Sequence, residues 1–292
     1  MKEIVVISGK GGTGKTSMVA SFARLAGRVV CADCDVDAAN LHIVTKPVVR
    51  ETTEFIGGTV AVIDQAACSG CGKCHEVCRF ESVLQDGSVY DIDGMACEGC
   101  GVCAEFCPEK AITMEPAVNG EWYISDTDNG PLIHARLLPG SENSGKLVTE
   151  VRRAARRVAE EEGIKTIIVD GSPGIGCPVI ASVTGSDAVL AVTEPSLSAM
   201  HDVKRVIDLA RHFEIKTLIC VNKSDINEDI TGQIREMAEK SGIPFAGTVR
   251  FDEDFTRAQI CGKSISEFSD GTAASDVFGV WEFVRSELGL ED

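Results

Sequence analysis

Eight residues near the start of the chain have the types and spacing of a phosphate-binding loop. They read Gly-Lys-Gly-Gly-Thr-Gly-Lys-Thr from Gly9 to Thr16 and follow an apolar, β-branched run that predicts a strand. The glycines let backbone N–H groups surround phosphate oxygens, Lys15 reaches the β- and γ-phosphates, and Thr16 places its hydroxyl on Mg²⁺. The residues expected around the nucleotide are Gly9, Lys10, Gly11, Gly12, Thr13, Gly14, Lys15, Thr16 and Ser17. A Gly-rich turn without a ligand is the alternative.

Two other apolar runs end in carboxylates. Arg28-Val29-Val30-Cys31-Ala32 leads to Asp33 and Asp35, and Thr166-Ile167-Ile168-Val169 leads to Asp170. Because the carboxyl ends of parallel strands face the nucleotide crevice, these acids are expected beside the phosphates. An apolar strand that ends in Asp is the Walker B pattern, so Asp170 is predicted to hold the Mg²⁺ shell. A solvated acidic loop is the alternative for the acids after the first of these runs.

Eight of the 13 cysteines form two copies of one motif. The spacing C-x-x-C-x-x-C-x-x-x-C begins at Cys68 and again at Cys97, and it is typical of two-cluster bacterial ferredoxins, in which the fourth cysteine of each run ligates the other cluster. Zinc is the competing metal, but structural zinc sites usually pair C-x-x-C units across a longer loop. Arg79 directly follows the first motif, at the position where such ferredoxins typically have proline. The predicted [4Fe–4S] ligands are Cys68, Cys71, Cys74 and Cys107 for one cluster, and Cys97, Cys100, Cys103 and Cys78 for the second.

The order of elements predicts an α/β fold. Strands alternate with helices, which indicates a doubly wound, mostly parallel sheet with the P-loop NTPase architecture, and the cysteine segment is predicted to be a small inserted α+β ferredoxin domain. The expected limits are 1–63 and 116–292 for a discontinuous ATPase domain, and 64–115 for the insertion. A strand at Thr59–Ile63, a hairpin made by Trp122–Ser125 and Ile133–Leu137, and a final helix docked on the sheet complete the expectation.

Lys10 directly after the first glycine refines this interpretation. With it the chain resembles the deviant-P-loop ATPases, the family of MinD, ParA, Mrp and the nitrogenase iron protein. The resemblance implies a homodimer with ATP at its interface, where Lys10 crosses to the nucleotide of the other subunit. It also implies that Asp35 positions the attacking water and that the Gly174 amide senses the γ-phosphate. The implied catalytic residues are Lys10, Lys15, Asp35 and Asp170; a solvated loop lysine is the alternative at Lys10.

Two positions leave alternatives open. Asn222-Lys223-Ser224-Asp225 has the four letters with which guanine-specific GTPases read the base, whereas in deviant-P-loop ATPases the matching Asn reads adenine. ATP is expected from the Lys10 signature, and GTP remains open, with Asn222 and Asp225 as the candidate base contacts. Cys177 follows the predicted switch II, where the nitrogenase iron protein holds a cluster between subunits; a small buried thiol is the other interpretation.

Charge and hydropathy restrict the partners. The formal net charge is −17 and no basic run stands out, which disfavours nucleic acid. No apolar run reaches the length of a membrane span, and the N-terminus enters a strand at once, so a cytoplasmic protein is expected.

Three functions fit these motifs. The first is an ATP-hydrolysing iron–sulfur protein in which nucleotide state gates electron transfer to a redox or metalloprotein partner. The second is a cluster scaffold or carrier of Mrp type, and the third is a positioning switch of MinD type.

Overall fold

A computed structural model describes residues 1–141 and 144–290 of the 292-residue chain. The strands are β1 (Lys2–Ser8), β2 (Val30–Asp33), β3 (Val48–Ile63), β4 (Val83–Asp86), β5 (Val89–Ile92), β6 (Ile112–Thr127), β7 (Gly130–Leu137), β8 (Thr166–Pro173), β9 (Ala188–Thr193), β10 (Lys216–Asn222) and β11 (Phe245–Val249). The helices are α1 (Lys15–Ala26), α2 (Leu41–Thr45), α3 (Lys73–Val77), α4 (Val102–Glu105), α5 (Ser144–Glu161), α6 (Cys177–Val183), α7 (Leu197–His212), α8 (Glu228–Lys240), α9 (Asp254–Ile260), α10 (Ile265–Phe268) and α11 (Thr272–Leu288).

The described chain divides into two compact units. The first contains Met1–Thr52, Trp122–Arg136 and the chain from Ser144 onward, and the second contains Thr53–Glu121 and the segment that begins at Leu137. The chain passes from the first unit to the second within β3 and returns within β6. The predicted domain limits at 63 and 116 therefore fall inside the second unit.

The first unit is built on a mostly parallel sheet in the order β11-β10-β9-β1-β8-β2-β7-β6-β3. The pairs β1–β8, β1–β9, β9–β10, β10–β11, β2–β8 and β2–β7 are all parallel. Five of these strands, β1, β8, β9, β10 and β2, are almost wholly buried, which explains their continuous apolar sequences. The α/β, mostly parallel architecture predicted from the sequence is confirmed.

Helices cover both faces of this sheet. Ile4 and Val6 of β1 pack into a core with residues of α1 and α11, including Phe22 and Trp281. The alternate residue Glu3 points to the opposite face and reaches α5. The expectation that the last helix docks on the sheet is confirmed, because Val277, Val280 and Val284 of α11 are buried in the same core.

The second unit contains the cysteine motifs and a small antiparallel hairpin made by β4 and β5. Its core consists of Ala61, Ile63, Cys74, Val83, Tyr90 and Ile112. Five further cysteines pack around this core, namely Cys68, Cys78, Cys97, Cys103 and Cys107. The unit therefore has its own small core in which thiols replace part of the usual aliphatic packing.

The long strand β3 was not predicted at its full length. The sequence indicated only Thr59–Ile63, whereas the strand begins at Val48. Val48 lies at a sheet edge, and most side chains between Val48 and Glu54 are exposed, so the apolar alternation that marks a half-buried strand is missing there. The predicted hairpin is present as β6 and β7, which are neighbours in the sheet, although β6 begins ten residues earlier than Trp122.

Candidate functional site

The loop between β1 and α1 has the backbone shape of a phosphate cradle. Gly12 and Gly14 have φ values of 78° and 90°, which L side chains rarely adopt. A Cβ on Gly14 would collide with the Asn222 amide, and one on Gly9 would collide with Asp202. Glycine is therefore required at Gly14 for both reasons, and its left-handed conformation lets α1 begin with free N–H groups directed toward a bound anion.

The neighbouring strand β10 supports this loop. Asn222 is buried at the end of β10, and its Nδ2 donates to the carbonyl of Thr13 at 2.8 Å. Lys223 Nζ donates to the carbonyl of Gly12 at 3.1 Å. The hydroxyl of Thr13 is buried and has no hydrogen-bond partner in the part of the chain that the structure describes, so it is available to a ligand. Asn222, predicted at the base, thus also holds the phosphate loop in place.

Lys15 and Asp35 meet at the floor of the cleft. Lys15 Nζ lies 3.6 Å from Asp35 Oδ2, and both side chains are nearly buried. Burial raises the pKa of Asp35, while the charge of Lys15 opposes that rise. The lysine charge is therefore balanced by a carboxylate of the same chain, and the predicted neighbours of the γ-phosphate are brought together.

Thr16 and Asp170 form the candidate Mg²⁺ site. Thr16 Oγ1 donates to Asp170 Oδ2 at 2.6 Å in a fully buried contact, and Asp170 Oδ1 is buried without a hydrogen-bond partner among the described residues. An unpartnered carboxylate oxygen beside a hydroxyl is a hard-oxygen donor set that suits Mg²⁺. The residues present therefore fit this ion, and Thr16 and Asp170 would hold it.

A second buried acid lies next to Asp170. Asp33 pairs with Asp170 across β2 and β8, and its two carboxylate oxygens accept from the N–H groups of Asp35 and Leu41. Burial, followed by the charge of Asp170, raises the pKa of Asp33 to about 8. Burial also raises the pKa of Asp170 to about 6, although Lys15 and the Thr16 hydrogen bond oppose it. Burial thus makes both carboxyls harder to ionise than an aspartate in water, and their mutual repulsion adds to this effect at Asp33.

Hydrogen bonds hold the end of β8 and the residue that follows it. Gly174 has a φ of 93°, and its N–H donates to the carbonyl of Ser8 at 2.8 Å. Ser172 Oγ donates to the carbonyl of Cys34 at 2.7 Å. The Gly174 amide, predicted to sense the γ-phosphate, would have to leave Ser8 in order to do so.

Lys10 contacts a residue that the sequence did not single out. Its Nζ lies 2.5 Å from Glu194 Oε1, and Lys223 Nζ lies 3.6 Å from the other oxygen of the same carboxylate. Glu194 follows β9 directly and so stands at the carboxyl edge of the sheet. Its position after a parallel strand was the available sequence signal, but nothing in its spacing indicated the two lysines.

A cleft of about 510 Å³ opens beside these residues. Asn40, Asn222 and Lys223 line it, and so does the segment after β11, which contributes Phe251, Phe255 and Gln259. Gln259 Nε2 also donates to Ser17 Oγ at 3.0 Å. The helix α9 in this segment was not predicted from the sequence.

Asp225 lies apart from the cleft lining. It belongs to a short 3₁₀ turn, Ser224–Ile226, and its Oδ1 accepts from the N–H of Phe251 at 2.7 Å. It lines a separate surface depression with Arg235 and Arg250. The carboxylate that reads guanine in GTPases is thus engaged with the backbone here, while Asn222 reaches the cleft.

The second unit brings together the first predicted set of cluster ligands. Cys68, Cys71, Cys74 and Cys107 line a single cavity, although Cys107 belongs to the second motif and the other three belong to the first. Burial raises the pKa of Cys74, and the neighbouring thiols of Cys68 and Cys71 add to that rise. The donor set, four sulfurs around one apolar cavity, fits an iron–sulfur group.

The second set of cysteines has a related environment. Burial raises the pKa of Cys103, and the neighbouring Cys97 and Cys100 contribute to the rise. Cys78, Cys97 and Cys103 pack against the same small core. No group of three or more His, Cys, Asp or Glu in residues 1–141 and 144–290 is spaced to hold a single metal ion. The cluster ligands therefore stay a prediction.

Both motifs use the same backbone device. Gly72 and Gly101 precede α3 and α4 with φ values of 75° and 74°. Gly70 and Gly99 are also left-handed, and a Cβ on either would press against a carbonyl oxygen, that of Ser88 or Thr59. The glycines noted in the motifs therefore permit loops too tight for other residues.

The environment of Cys177 contradicts its interpretation as a small buried thiol. It is the first residue of α6 and is exposed, so it is not a buried thiol. Gly176 in an extended conformation places it on the first turn, away from the core that Val179 and Val183 join. Nothing in the described residues assigns it a ligand.

These features define a P-loop nucleotide-binding protein with a doubly wound sheet. The chain belongs to the CobQ/CobB/MinD/ParA nucleotide-binding domain family, CbiA, which residues 4–265 match. None of the helices within the described ranges has the length and apolar character needed to cross a membrane.

Three individual proteins illustrate the similarity. The uncharacterized protein MJ0578 of Methanocaldococcus jannaschii is 36% identical over 229 residues, covering 77% of this chain and 79% of that one. The cytosolic Fe-S cluster assembly factor NBP35 of Eremothecium gossypii is 29% identical over 141 residues, which is 42% of each chain. The septum site-determining protein MinD of Pyrococcus horikoshii OT3, solved with Mg-ADP, has a TM-score of 0.59 at 13% identity over 99% of this chain and 98% of its own, which shows the shared fold.

Proposed function

We propose that this protein is an ATP-binding and ATP-hydrolysing iron–sulfur protein that couples its nucleotide state to electron transfer to a partner protein. Family membership supports the nucleotide half of this proposal. The cavity lined by Cys68, Cys71, Cys74 and Cys107 is the observation that carries the iron–sulfur half. A [4Fe–4S] cluster supplies one-electron chemistry when it is bound.

The phosphate chain is assigned to the loop from Gly9 to Thr16. Backbone N–H groups around Gly12 and Gly14 and the amino end of α1 attract its negative charge. Lys15, now paired with Asp35, would exchange this partner for phosphate oxygens, because both contacts use the same ammonium group. Thr16 and Asp170 would hold Mg²⁺, since Asp170 Oδ1 has no hydrogen-bond partner within residues 1–141 and 144–290.

Water activation is assigned to Asp35. Once Lys15 turns to the phosphates, the Asp35 carboxylate is left at the edge of the cleft, where it can accept a hydrogen bond from a water molecule and orient it. Phosphoryl transfer needs positioning and charge neutralisation more than strong base catalysis, so a carboxylate is sufficient. ATP rather than GTP is proposed because Asp225 is bound to the Phe251 N–H and lies outside the cleft lining.

A homodimer with Lys10 at the nucleotide of the other subunit is part of the proposal. Lys10 is about one-third exposed, and its salt-bridge partner is Glu194. A phosphate of the other subunit's nucleotide can replace this carboxylate as its partner. A redox or metalloprotein is the expected partner of the iron–sulfur unit. A cytoplasmic location is part of the proposal, and the charge of −17 disfavours a nucleic-acid ligand.

Coupling is proposed to travel along the chain itself. The segment from Asp35 to Asn40 leads through α2 to β3, and β3 continues into the second unit. A change in the position of Asp35 on hydrolysis would therefore act at the beginning of a continuous strand. The domain limits proposed for the two activities are 1–63 with 116–292, and 64–115.

A cluster scaffold or carrier is the second candidate. It is favoured by the 29% identity to a protein named as a cytosolic Fe-S cluster assembly factor, over 42% of the chain. Permanent clusters held by eight nested cysteines favour the redox function instead. Faster iron transfer to an apo-acceptor in the presence of ATP would support the carrier, whereas a MinD-type switch requires partner binding that survives loss of the cluster cysteines.

The proposal is tested by anaerobic purification, iron counting and EPR with and without Mg-ATP. Two four-cysteine sets predict about eight iron atoms per chain. We expect the reduction potentials of the clusters, measured by EPR-detected titration, to shift when Mg-ATP is added. Lys15→Ala and Asp170→Asn should each lower ATP turnover by about 100-fold or more, since each removes charge stabilisation of the transferring phosphoryl group.

The matched control is Lys240→Ala, because Lys240 is exposed and pairs only along α8 with Glu236. It should leave turnover unchanged. Full iron in Lys15→Ala would show that the clusters do not need the nucleotide. Iron-poor wild-type protein, or potentials that ignore Mg-ATP, would contradict the proposed function.

A further inference from the structure

The two cysteine motifs end in unequal surroundings. The sulfur of Cys78 lies 3.2 Å from the hydroxyl of Ser82, a residue that is 3% exposed. At the equivalent cysteine of the second motif, Cys107, the sulfur accepts from the N–H of Ala111 at 3.4 Å.

The two segments are otherwise copies of one turn. Four residues after the last cysteine stand Ser82 in the first motif and Ala111 in the second, and both are buried. The residue before each is left-handed, with φ values of 54° at Glu81 and 52° at Lys110. The internal repeat therefore places a hydroxyl at one sulfur and a methyl group at the same position of the other.

Hydrogen bonds to a ligating sulfur stabilise negative charge, and reduction of a cluster adds negative charge. A site whose ligand sulfur accepts a shorter hydrogen bond, here from a buried hydroxyl, is therefore easier to reduce.

We propose that Ser82 is a positioning residue for electron transfer that makes the two cluster sites unequal. The site of Cys78, with Cys97, Cys100 and Cys103, has the higher reduction potential, and the site of Cys107, with Cys68, Cys71 and Cys74, has the lower one. With clusters held at both sites, an electron supplied by a one-electron donor protein would reside preferentially at the site of Cys78, with no bond broken and no proton moved. This inference rests on the proposed function, because it requires both sites to hold clusters.

Exchange of the two residues tests the inference. Wild-type protein, Ser82→Ala, Ala111→Ser and the double variant would be purified without oxygen, counted for iron and titrated against potential with EPR detection. We expect two separate potentials in the wild type. Ser82→Ala should lower the higher potential toward the other, and Ala111→Ser should raise the lower one. Ser88→Ala, on the exposed β4–β5 turn, is the matched control and should change neither.

The outcomes separate the inference from the function on which it rests. Fully loaded Ser82→Ala protein whose potentials are unchanged, or whose lower potential moves, would overturn the role of Ser82 while leaving the clusters in place. If Ser82→Ala loses iron, two other variants decide the question. Ala111→Ser must raise the lower reduction potential. Ser82→Thr, which keeps the hydroxyl, must keep the wild-type difference between the two potentials. Wild-type protein without iron would instead refute the proposed function and this inference together.

Discussion

The lysines around the phosphate loop are paired with carboxylates of the same chain. Lys15 is paired with Asp35, and Lys10 and Lys223 share Glu194. A nucleotide brings several negative charges into this network and competes with each carboxylate for its lysine. The strength of nucleotide binding therefore depends on carboxylates that do not themselves touch a phosphate.

Glu194 offers the simplest measurement of this competition. Glu194→Gln keeps the size of the side chain but removes a negative charge that holds Lys10 and Lys223. We expect Mg-ATP to bind roughly fivefold more tightly, since one partly exposed charge interaction amounts to about 1 kcal/mol. Equilibrium titration with a fluorescent nucleotide measures the change.

Glu253→Gln is the control for this substitution, because Glu253 pairs with Arg257 at an exposed position. It should not change the affinity. Weaker binding by Glu194→Gln would show that the carboxylate supports the loop instead of competing with the nucleotide.

At the scale of elements, one buried carboxylate fastens α5 to the central strand. Glu3 of β1 is 4% exposed and accepts from Arg152 Nε at 2.6 Å and from Arg156 Nε at 2.7 Å. Arg152 Nη1 also donates to the carbonyls of Ala181 and Thr184, at the end of α6. The helices of this face are thus positioned by ionic contacts as well as by their apolar residues.

Loss of Arg152 should therefore be costly. Arg152→Met leaves the buried Glu3 carboxylate with Arg156 alone, so we expect the free energy of unfolding to fall by about 3–5 kcal/mol. Urea unfolding followed by circular dichroism measures this change. Arg153→Met, one residue on and largely exposed, should change it by less than about 0.5 kcal/mol; equal losses in the two variants would contradict the account.

The strand β7 carries a group that makes stability depend on pH. His134 Nε2 forms a hydrogen bond with Ser125 Oγ at 2.9 Å, and the imidazole ring stacks on Tyr123 and His42. Burial, followed by the charge of His42, lowers its pKa from 6.5 to about 4. Between these values the unfolded chain binds more protons at this position than the folded chain, so the stability that His134 contributes falls as pH drops from about 6.5 toward 4.

We expect His134→Gln to flatten that dependence. The difference in urea midpoint between pH 7.5 and pH 5.5 should be smaller in this variant than in the wild type, whereas His212→Gln, on an exposed helix end, should keep the wild-type difference. An unchanged slope in His134→Gln would show that the imidazole is not protonated on unfolding.

At the scale of the whole molecule, coupling between nucleotide and clusters must be reciprocal. If Mg-ATP changes a cluster potential, the oxidation state of the cluster must change the affinity for Mg-ATP by the same free energy. For a one-electron couple, a shift of about 59 mV corresponds to a tenfold change in affinity. Potential titrations with and without nucleotide, and nucleotide titrations of oxidised and reduced protein, measure the two sides independently.

Lys15→Ala is the control for this cycle. It should keep its iron but show cluster potentials that no longer respond to Mg-ATP. A potential shift in the wild type without a matching change in affinity would mean that the shift does not come from nucleotide bound at this site.

Much of this molecule follows from local sequence. The phosphate loop depends on residues adjacent in the chain, and the buried strands β1, β8, β9 and β10 are recognisable because both of their faces are covered. The motif glycines at Gly70, Gly72, Gly99 and Gly101 likewise report local backbone shape. Each of these features is determined within a few residues, so the sequence alone was sufficient to predict it.

Tertiary structure decided the contacts between distant segments. The Glu194 carboxylate contacts Lys10 across 184 positions of sequence. The Asn222 amide donates to the Thr13 carbonyl, and the Phe251 N–H donates to the Asp225 carboxylate. None of these contacts has a local sequence signature. The exposed beginning of β3 also lacked a pattern, because an edge strand buries too few side chains to alternate. Sequence thus determined which groups are present and how each local turn is shaped, whereas packing of the sheet determined which charges neutralise one another, since that depends on the order of the strands.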